Sequence, residues 1–348
     1  MSDISKVDKN FAIKTGIDRK DIEFYSADEK PFKVYGLFRE NGKYTRMPLK
    51  VASDVSEGVI ILHTNTAGGR VRFVTDSAYV AIHAKMDGLG KMPHFALTGS
   101  AGFDLYADGS YVKTFVPPFD VCDGYESIID FADKKKREIT INFPLYSNVN
   151  ELYVGVQKDS VLTESAPYKN SKPIVYYGSS ITQGGCASRP GMSYESIVSR
   201  KFNYDYINLG FSGSAKAEDV MIEYIKNLDM SLFVYDYDYN APTVEHLANT
   251  HEKMFLAVRR ANPTIPVIMM SRPKFSLTDE EKERRNIIET TYRNAISAGD
   301  ENVYFVSGEK LTELCKEEGT VDGCHPTDFG FVSMANAISE VIENFIIV

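Results

Sequence analysis

From about Ile22 to Leu162, apolar and polar residues alternate with a period of two in short runs: FKVYGLF, GVIILHT, RVRFVT, AYVAIHAKM, HFALTG, FDLYADG, YVKTFV, REITINF and ELYVGV, with Gly, Asn, Asp or Pro between them. Successive side chains of a strand point to opposite faces, so this pattern predicts half-buried strands, and their even spacing predicts a β-sandwich of jelly-roll type. Helical periodicity is nearly absent over this region. At Pro173 the rhythm changes. The runs PIVYYG, DYINLG, LFVYDYD, IPVIMM and NVYFVSG read as strands, and between them lie the helical patterns AEDVMIEYIKNL, TVEHLANTHEKMFLAVRRANP and DEEKERRNIIETTYRNAISAGD, with a last helix over roughly Asp328 to Phe345. This alternation predicts a parallel sheet covered on both faces, an α/β/α sandwich. A polar connector with a proline, Ser165 to Lys172, separates the two rhythms, so two domains are expected, 1–168 and 169–348.

A chain of 348 residues with 43% hydrophobic and 25% charged residues suits two globular domains. Its net charge of -9 and pI near 5.3 argue against nucleic-acid or anionic-membrane partners, because phosphate binding needs a basic face. The short run Lys134 to Arg137 reads as a solvated turn. No run of apolar residues is long enough to span a bilayer. The polar N-terminus, MSDISKVDKNFAIKTG, shows no signal-peptide pattern, so a cytoplasmic protein is expected. Cys122, Cys186, Cys315 and Cys324 lack CxxC spacing and read as reduced packing residues, although Cys186 and Cys324 flank the segments discussed next.

Those segments are the turns that follow the strands of the second half. In an open α/β sheet, ligands bind beyond the carboxyl ends of the strands. After PIVYY comes Gly178-Ser179-Ser180, after DYINLG comes Phe211-Ser212-Gly213-Ser214, and after LFVYDY comes Asp238-Tyr239-Asn240. Taken alone, each has a bland reading: Ser180 as a turn or capping residue, Gly213 as a turn residue, Asn240 as a helix cap. Near the C-terminus, VDGCHPTDFG sets Asp322 three residues before His325. A serine hydroxyl needs a base to take its proton, and a carboxylate to hold that base in the right tautomer. Ser180, His325 and Asp322 supply these roles, and Ser180 N–H, Gly213 N–H and the Asn240 amide could receive an oxyanion.

In this order the segments resemble the SGNH (GDSL-type) hydrolases, over roughly Lys172 to Val348. The most specific pieces are GSSITQG and DGCHPTDFG. The upstream half is similar to the GxDLY-type β-rich domain of one subfamily, with Gly102-Phe103-Asp104-Leu105-Tyr106 in its motif. The resemblance implies a flavodoxin-like catalytic domain preceded by the β-sandwich, and an esterase with Ser180 as nucleophile, His325 as base, Asp322 as orienting acid, and Ser180, Gly213 and Asn240 as the oxyanion hole. It also implies a small ester substrate, such as an acetylated sugar. Two positions depart from the family pattern. Ser179 stands where Asp is common, and Asp238 stands where Gly is common, two residues before Asn240. A carboxylate there should point away or pair with a cation, for which Arg189 is the expected partner.

The remaining histidines take bland readings. His63, His83 and His94 are read as packing or surface residues, and His246 and His251, five apart, lack the i, i+4 spacing of a helical zinc pair. No histidine or cysteine group has metal-ligand spacing and no glycine-rich loop offers a nucleotide site, so neither metal nor cofactor is expected. The other functions kept in view are acyl transfer to an alcohol or sugar acceptor, and carbohydrate binding by an inactive hydrolase. For the N-terminal domain the open readings are glycan binding, a homo-oligomer surface, or a loop, Gly102 to Tyr106, draped over the site.

Overall fold

The computed structural model describes residues 16–170 and 172–345. The reading of the first fifteen residues as a leaderless terminus therefore lies outside the described part, as does Ser171 of the connector.

The N-terminal half begins with β1 (Ile22–Ser26), β2 (Lys33–Tyr35) and the hairpin β3 (Phe38–Glu40) and β4 (Lys43–Thr45). Two short helices follow, α1 (Leu49–Val55) and α2 (Glu57–Leu62), then β5 (Arg70–Thr75), β6 (Tyr79–Asp87) and α3 (Leu97–Ser100). The remaining strands are β7 (Phe103–Ala107), β8 (Ser110–Phe115), β9 (Gly124–Asp130), β10 (Arg137–Asn142), β11 (Asn148–Gln157) and β12 (Leu162–Thr163). They form two antiparallel sheets, ordered β1-β11-β6-β9 and β12-β5-β10-β7-β8 with β2 beside β5. Alternate residues of both sheets, among them Val80 and Ile82 of one and Val71, Phe73, Ile139 and Ile141 of the other, bury a common core.

The structure corrects two of the expected strands. GVIILHT is helical because Ser56 caps α2, accepting the N–H of Val59 at 3.3 Å, and Val59 packs into the core of the second half. Packing and a cap outweigh the β preference of its branched residues. HFALTG is likewise no strand: its first three residues are a turn leading into α3, a single helical turn whose Gly99 and Ser100 are buried.

In the C-terminal half, β13 (Ile174–Gly178), α4 (Tyr194–Phe202), β14 (Tyr206–Gly210), α5 (Asp219–Lys226), β15 (Leu232–Asp236), α6 (Val244–Ala261), β16 (Val267–Met270), α7 (Asp279–Ser297), β17 (Val303–Val306), α8 (Gly308–Leu311) and α9 (Asp328–Glu343) follow in order. The five strands make a parallel sheet ordered β14-β13-β15-β16-β17. This is the flavodoxin-like order, whose switch point lies beside the first strand. Every residue of β13 is buried, as a central strand covered on both faces requires. Val175 and Tyr177 face a core that includes α5, α6 and α7, while Ile174 and Tyr176 face one that includes α4 and α9. The halves interlock through Ala52 and Val59 on the first face and Phe95, Leu145 and Tyr146 on the second. No helix among the described residues is long and apolar enough to cross a membrane.

Candidate active site

The register of the central strands creates the site. Gly178 pairs with Gly210 of β14 and with Asp236 of β15, so the three strands end level and release their turns at one sheet edge. Glycine at 210 is needed for close approach: a Cβ there would lie 2.2 Å from the Gln183 backbone N. The three turns are then tied together. Gln183 Oε1 accepts the Ser212 N–H at 3.1 Å, and Asn240 Oδ1 accepts the Ala215 N–H at 3.2 Å.

Ser180 sits in the turn after β13 and is 8% exposed. Its Oγ lies 2.9 Å from His325 Nε2, and His325 Nδ1 lies 2.7 Å from Asp322 Oδ2. The loop before α9 builds this pair locally. Asp322 Oδ1 accepts the N–H groups of Cys324 (3.0 Å) and His325 (2.8 Å), while Val321 N–H closes on the His325 carbonyl at 2.9 Å. Partial burial pushes the Asp322 carboxyl upward, but the hydrogen bonds from the His325 ring and these two N–H groups outweigh it and hold the group down at about 2. It is therefore a carboxylate at any pH at which the protein would be assayed. With that acceptor at Nδ1, the neutral imidazole carries its proton there and presents a lone pair at Nε2 to the Ser180 hydroxyl.

The three candidate donors share one property. Ser180 N–H and Gly213 N–H make no hydrogen bond among the described residues, and neither does the Asn240 Nδ2 amide, whose Oδ1 is engaged by Ala215. Gly213 has φ +67° and open space where a Cβ would be, so it stands exposed in a left-handed conformation that glycine adopts readily. Unpaired donors at the open edge of a sheet are suited to receiving negative charge from outside the protein.

Beneath them lies a residue that the sequence reading did not single out. Asp236, the last residue of β15, is fully buried; its Oδ1 accepts from the Thr182 hydroxyl, and its carboxyl also takes the Ser179 N–H. Burial pushes this carboxyl up to about 7, and its Oδ2 has no partner. Ser179, in the place where the family commonly has Asp, uses its own Oγ to accept the Ile181 N–H at 3.2 Å. A carboxyl thus still shapes the turn, but it arrives from the neighbouring strand.

The cation expected for Asp238 is corrected by the structure. Arg189 instead pairs with Asp104 at 3.0 Å. Asp238 is held by Arg272, whose Nε and Nη2 reach its two oxygens at 2.9 and 3.0 Å, and by Arg284 at 3.5 Å. Arg272 follows β16 and Arg284 lies on α7, so this pairing depends on sheet order and not on proximity in sequence. His94 is exposed, as expected of a surface residue, but its ring stands 5.7 Å from that of His325. A separate cavity of about 220 Å³, lined by Arg70, Arg72, Tyr106, Tyr168 and Arg200 among others, contains none of the candidate residues.

The GxDLY-like motif does not drape over the site; it braces the chain leading away from it. Buried Asp104 accepts from Gly191 N–H at 2.8 Å, Asn142 Nδ2 at 2.7 Å and Arg189. Closer to Ser180, Tyr146 donates its hydroxyl to the Ser180 carbonyl at 3.1 Å, and Gln183 Nε2 donates to Asn65 at 3.1 Å.

Residues 171–343 match the GDSL-like lipase/acylhydrolase family, and residues 22–162 match the N-terminus of SGNH hydrolase-type esterases. Comparison with proteins of curated function returned no match. Among solved structures, a candidate GDSL-like lipase from Bacteroides ovatus is 27% identical, with TM-score 0.82 over 93% of this chain and 97% of its own. A salicylyl-acyltransferase from a tetracycline biosynthetic pathway is 18% identical, with TM-score 0.75 over 94% of this chain and 98% of its own. An acetyl xylan esterase from the rumen bacterium Butyrivibrio proteoclasticus is 12% identical, with TM-score 0.59 over 93% of this chain and 98% of its own.

Proposed function

Because this chain belongs to the GDSL-like lipase/acylhydrolase family and carries the N-terminal domain of SGNH hydrolase-type esterases, we propose that it is a serine esterase that removes short acyl groups, acetyl foremost, from carbohydrate esters. Ester hydrolysis follows from the family; the roles of the residues and the substrate are our reading. In that reading Asp322 holds the Nδ1 proton of His325, and His325 Nε2 takes the proton of Ser180 as Oγ attacks the ester carbonyl. The oxyanion is received by Ser180 N–H, Gly213 N–H and Asn240 Nδ2. His325 then gives its proton to the departing alcohol, leaving an acyl-Ser180 ester. A water, deprotonated by the same imidazole, attacks that ester and releases the acid.

The observation that carries the reading is the continuous hydrogen-bonded chain from Ser180 through His325 to Asp322, beside donors that no protein acceptor uses. For the substrate, support comes from likeness in fold to an acetyl xylan esterase and from the polar groups around Ser180. Ser180→Ala should lower p-nitrophenyl acetate turnover on the order of 10³-fold or more, with the fold intact by circular dichroism. Full activity in that variant would remove Ser180 from the mechanism. A series of acyl esters from acetyl to decanoyl, run beside acetylated xylo-oligosaccharides, tests the substrate: a maximum at the octanoyl ester or longer would contradict it.

A further inference from the structure

His94, Cys186 and His325 are scattered in sequence, yet each offers a donor atom within 4.8 Å of the other two. His94 comes from the segment between β6 and α3, Cys186 from the end of the nucleophile turn, and His325 from the loop before α9. We propose that these three side chains form a site for a zinc-class divalent cation, and that the cation switches the enzyme off by taking the Nε2 lone pair of His325 away from Ser180.

The donor set of two imidazoles and one thiol is the borderline-soft combination that zinc prefers over magnesium or calcium. Tetrahedral zinc, with bonds of about 2.0–2.3 Å, needs donors roughly 3.3–3.8 Å apart. The exposed His94 makes no hydrogen bond among the described residues, so a change of rotamer can close the remaining distance. His325 must contribute Nε2, because Nδ1 is committed to Asp322 at 2.7 Å. That atom is also the one 2.9 Å from Ser180 Oγ, so metal and hydroxyl compete for a single lone pair. Cys186 itself is held at φ +74°, a conformation that costs a non-glycine residue energy and that clusters at functional positions. On binding, the Cys186 thiol proton passes to solvent, His325 keeps its Nδ1 proton on Asp322, and water completes the fourth position.

Binding does not depend on the esterase reading; only its consequence, inhibition, does. The test adds zinc to chelator-stripped protein during p-nitrophenyl acetate turnover and then adds EDTA. Wild type should lose turnover and regain it with EDTA. His94→Gln and Cys186→Ser should turn over normally without zinc and require roughly 10-fold or more zinc for the same inhibition, whereas Cys324→Ser should respond as wild type. Cobalt(II) supplies a readout independent of turnover: a thiolate-to-cobalt charge-transfer band should appear in wild type and in Ser180→Ala, and be absent from Cys186→Ser. No zinc inhibition, equal inhibition of all variants, or a cobalt band that survives Cys186→Ser would overturn the proposal. If wild type turned over no ester at all, the esterase reading would fail while the cobalt band still decided the site.

Discussion

Asp236 ends a central strand and Asp322 lies in the loop before α9, and their surroundings drive them in opposite directions. Asp322 receives three hydrogen bonds and stays ionised; Asp236 is enclosed beneath the turn that carries Ser180 and burial holds it up at about 7. Asp322→Asn would keep the shape but present an amide donor to His325, favouring the wrong tautomer. Turnover at neutral pH should fall on the order of 10³–10⁴-fold, with KM nearly unchanged, in steady-state assays. For Asp236 the effect is on stability. Below about pH 4 the folded and unfolded chains both hold its proton; as pH rises toward 7 the unfolded chain releases it while the folded chain does not, so stability is lost over this interval. Asp236→Asn should remove that loss, and its stability relative to wild type should improve between about pH 4 and about pH 8, by at most roughly 4 kcal/mol. Urea unfolding at both pH values checks it. Glu195, fully buried and likewise pushed up by burial, will retain its own share of the slope.

Among the elements, the short turn from Tyr237 to Asn240 shows how one departure from the family pattern is absorbed. Its Asp238 is buried, and the bidentate fork of Arg272 with the weaker contact of Arg284 makes the burial tolerable. Arg272→Leu would leave that carboxylate with Arg284 and the backbone N–H of residue 272, without the guanidinium fork. A loss of about 3 kcal/mol in urea unfolding is expected, since removing one partner of a buried pair strands the other. Turnover should fall as well, because Asn240 ends the same turn. Most strands of the α/β half were legible because continuous apolar runs of four residues in β13, β15, β16 and β17, bounded by helical periods, leave little choice. α2 was not: its run of Val, Ile and Leu reads as a strand until the Ser56 cap and the face that Val59 buries are both known.

For the whole molecule, the question is why the esterase fold needs the β-rich half. Arg46, 2% exposed, reaches across from β4's end to the Gly210 carbonyl at 2.6 Å, and Asp104 pins the segment after the Ser180 turn. The two halves therefore share responsibility for where Ser180 stands. Asp104→Ala would leave the Arg189 guanidinium and the Gly191 N–H without this acceptor. We expect a loss of about 3–5 kcal/mol in thermal or urea unfolding, and slower labelling of Ser180 by a fluorophosphonate although Ser180, His325 and Asp322 are all unaltered.

The sequence by itself determined the two rhythms, the turns that follow each strand and the chemistry of the residues on them, because hydrophobic periodicity and turn composition act over a few residues. It also placed Asp322 within reach of His325, since three residues of loop suffice to join them. Only the tertiary structure decided what met across the sheet: Asp236 under Ser179, Arg272 and not Arg189 on Asp238, Asp104 on Gly191, and His94 beside His325. Those contacts depend on strand order and on how the two halves of the chain pack together, and both are set by the burial of entire faces, which leaves no trace in the spacing of the residues it brings together.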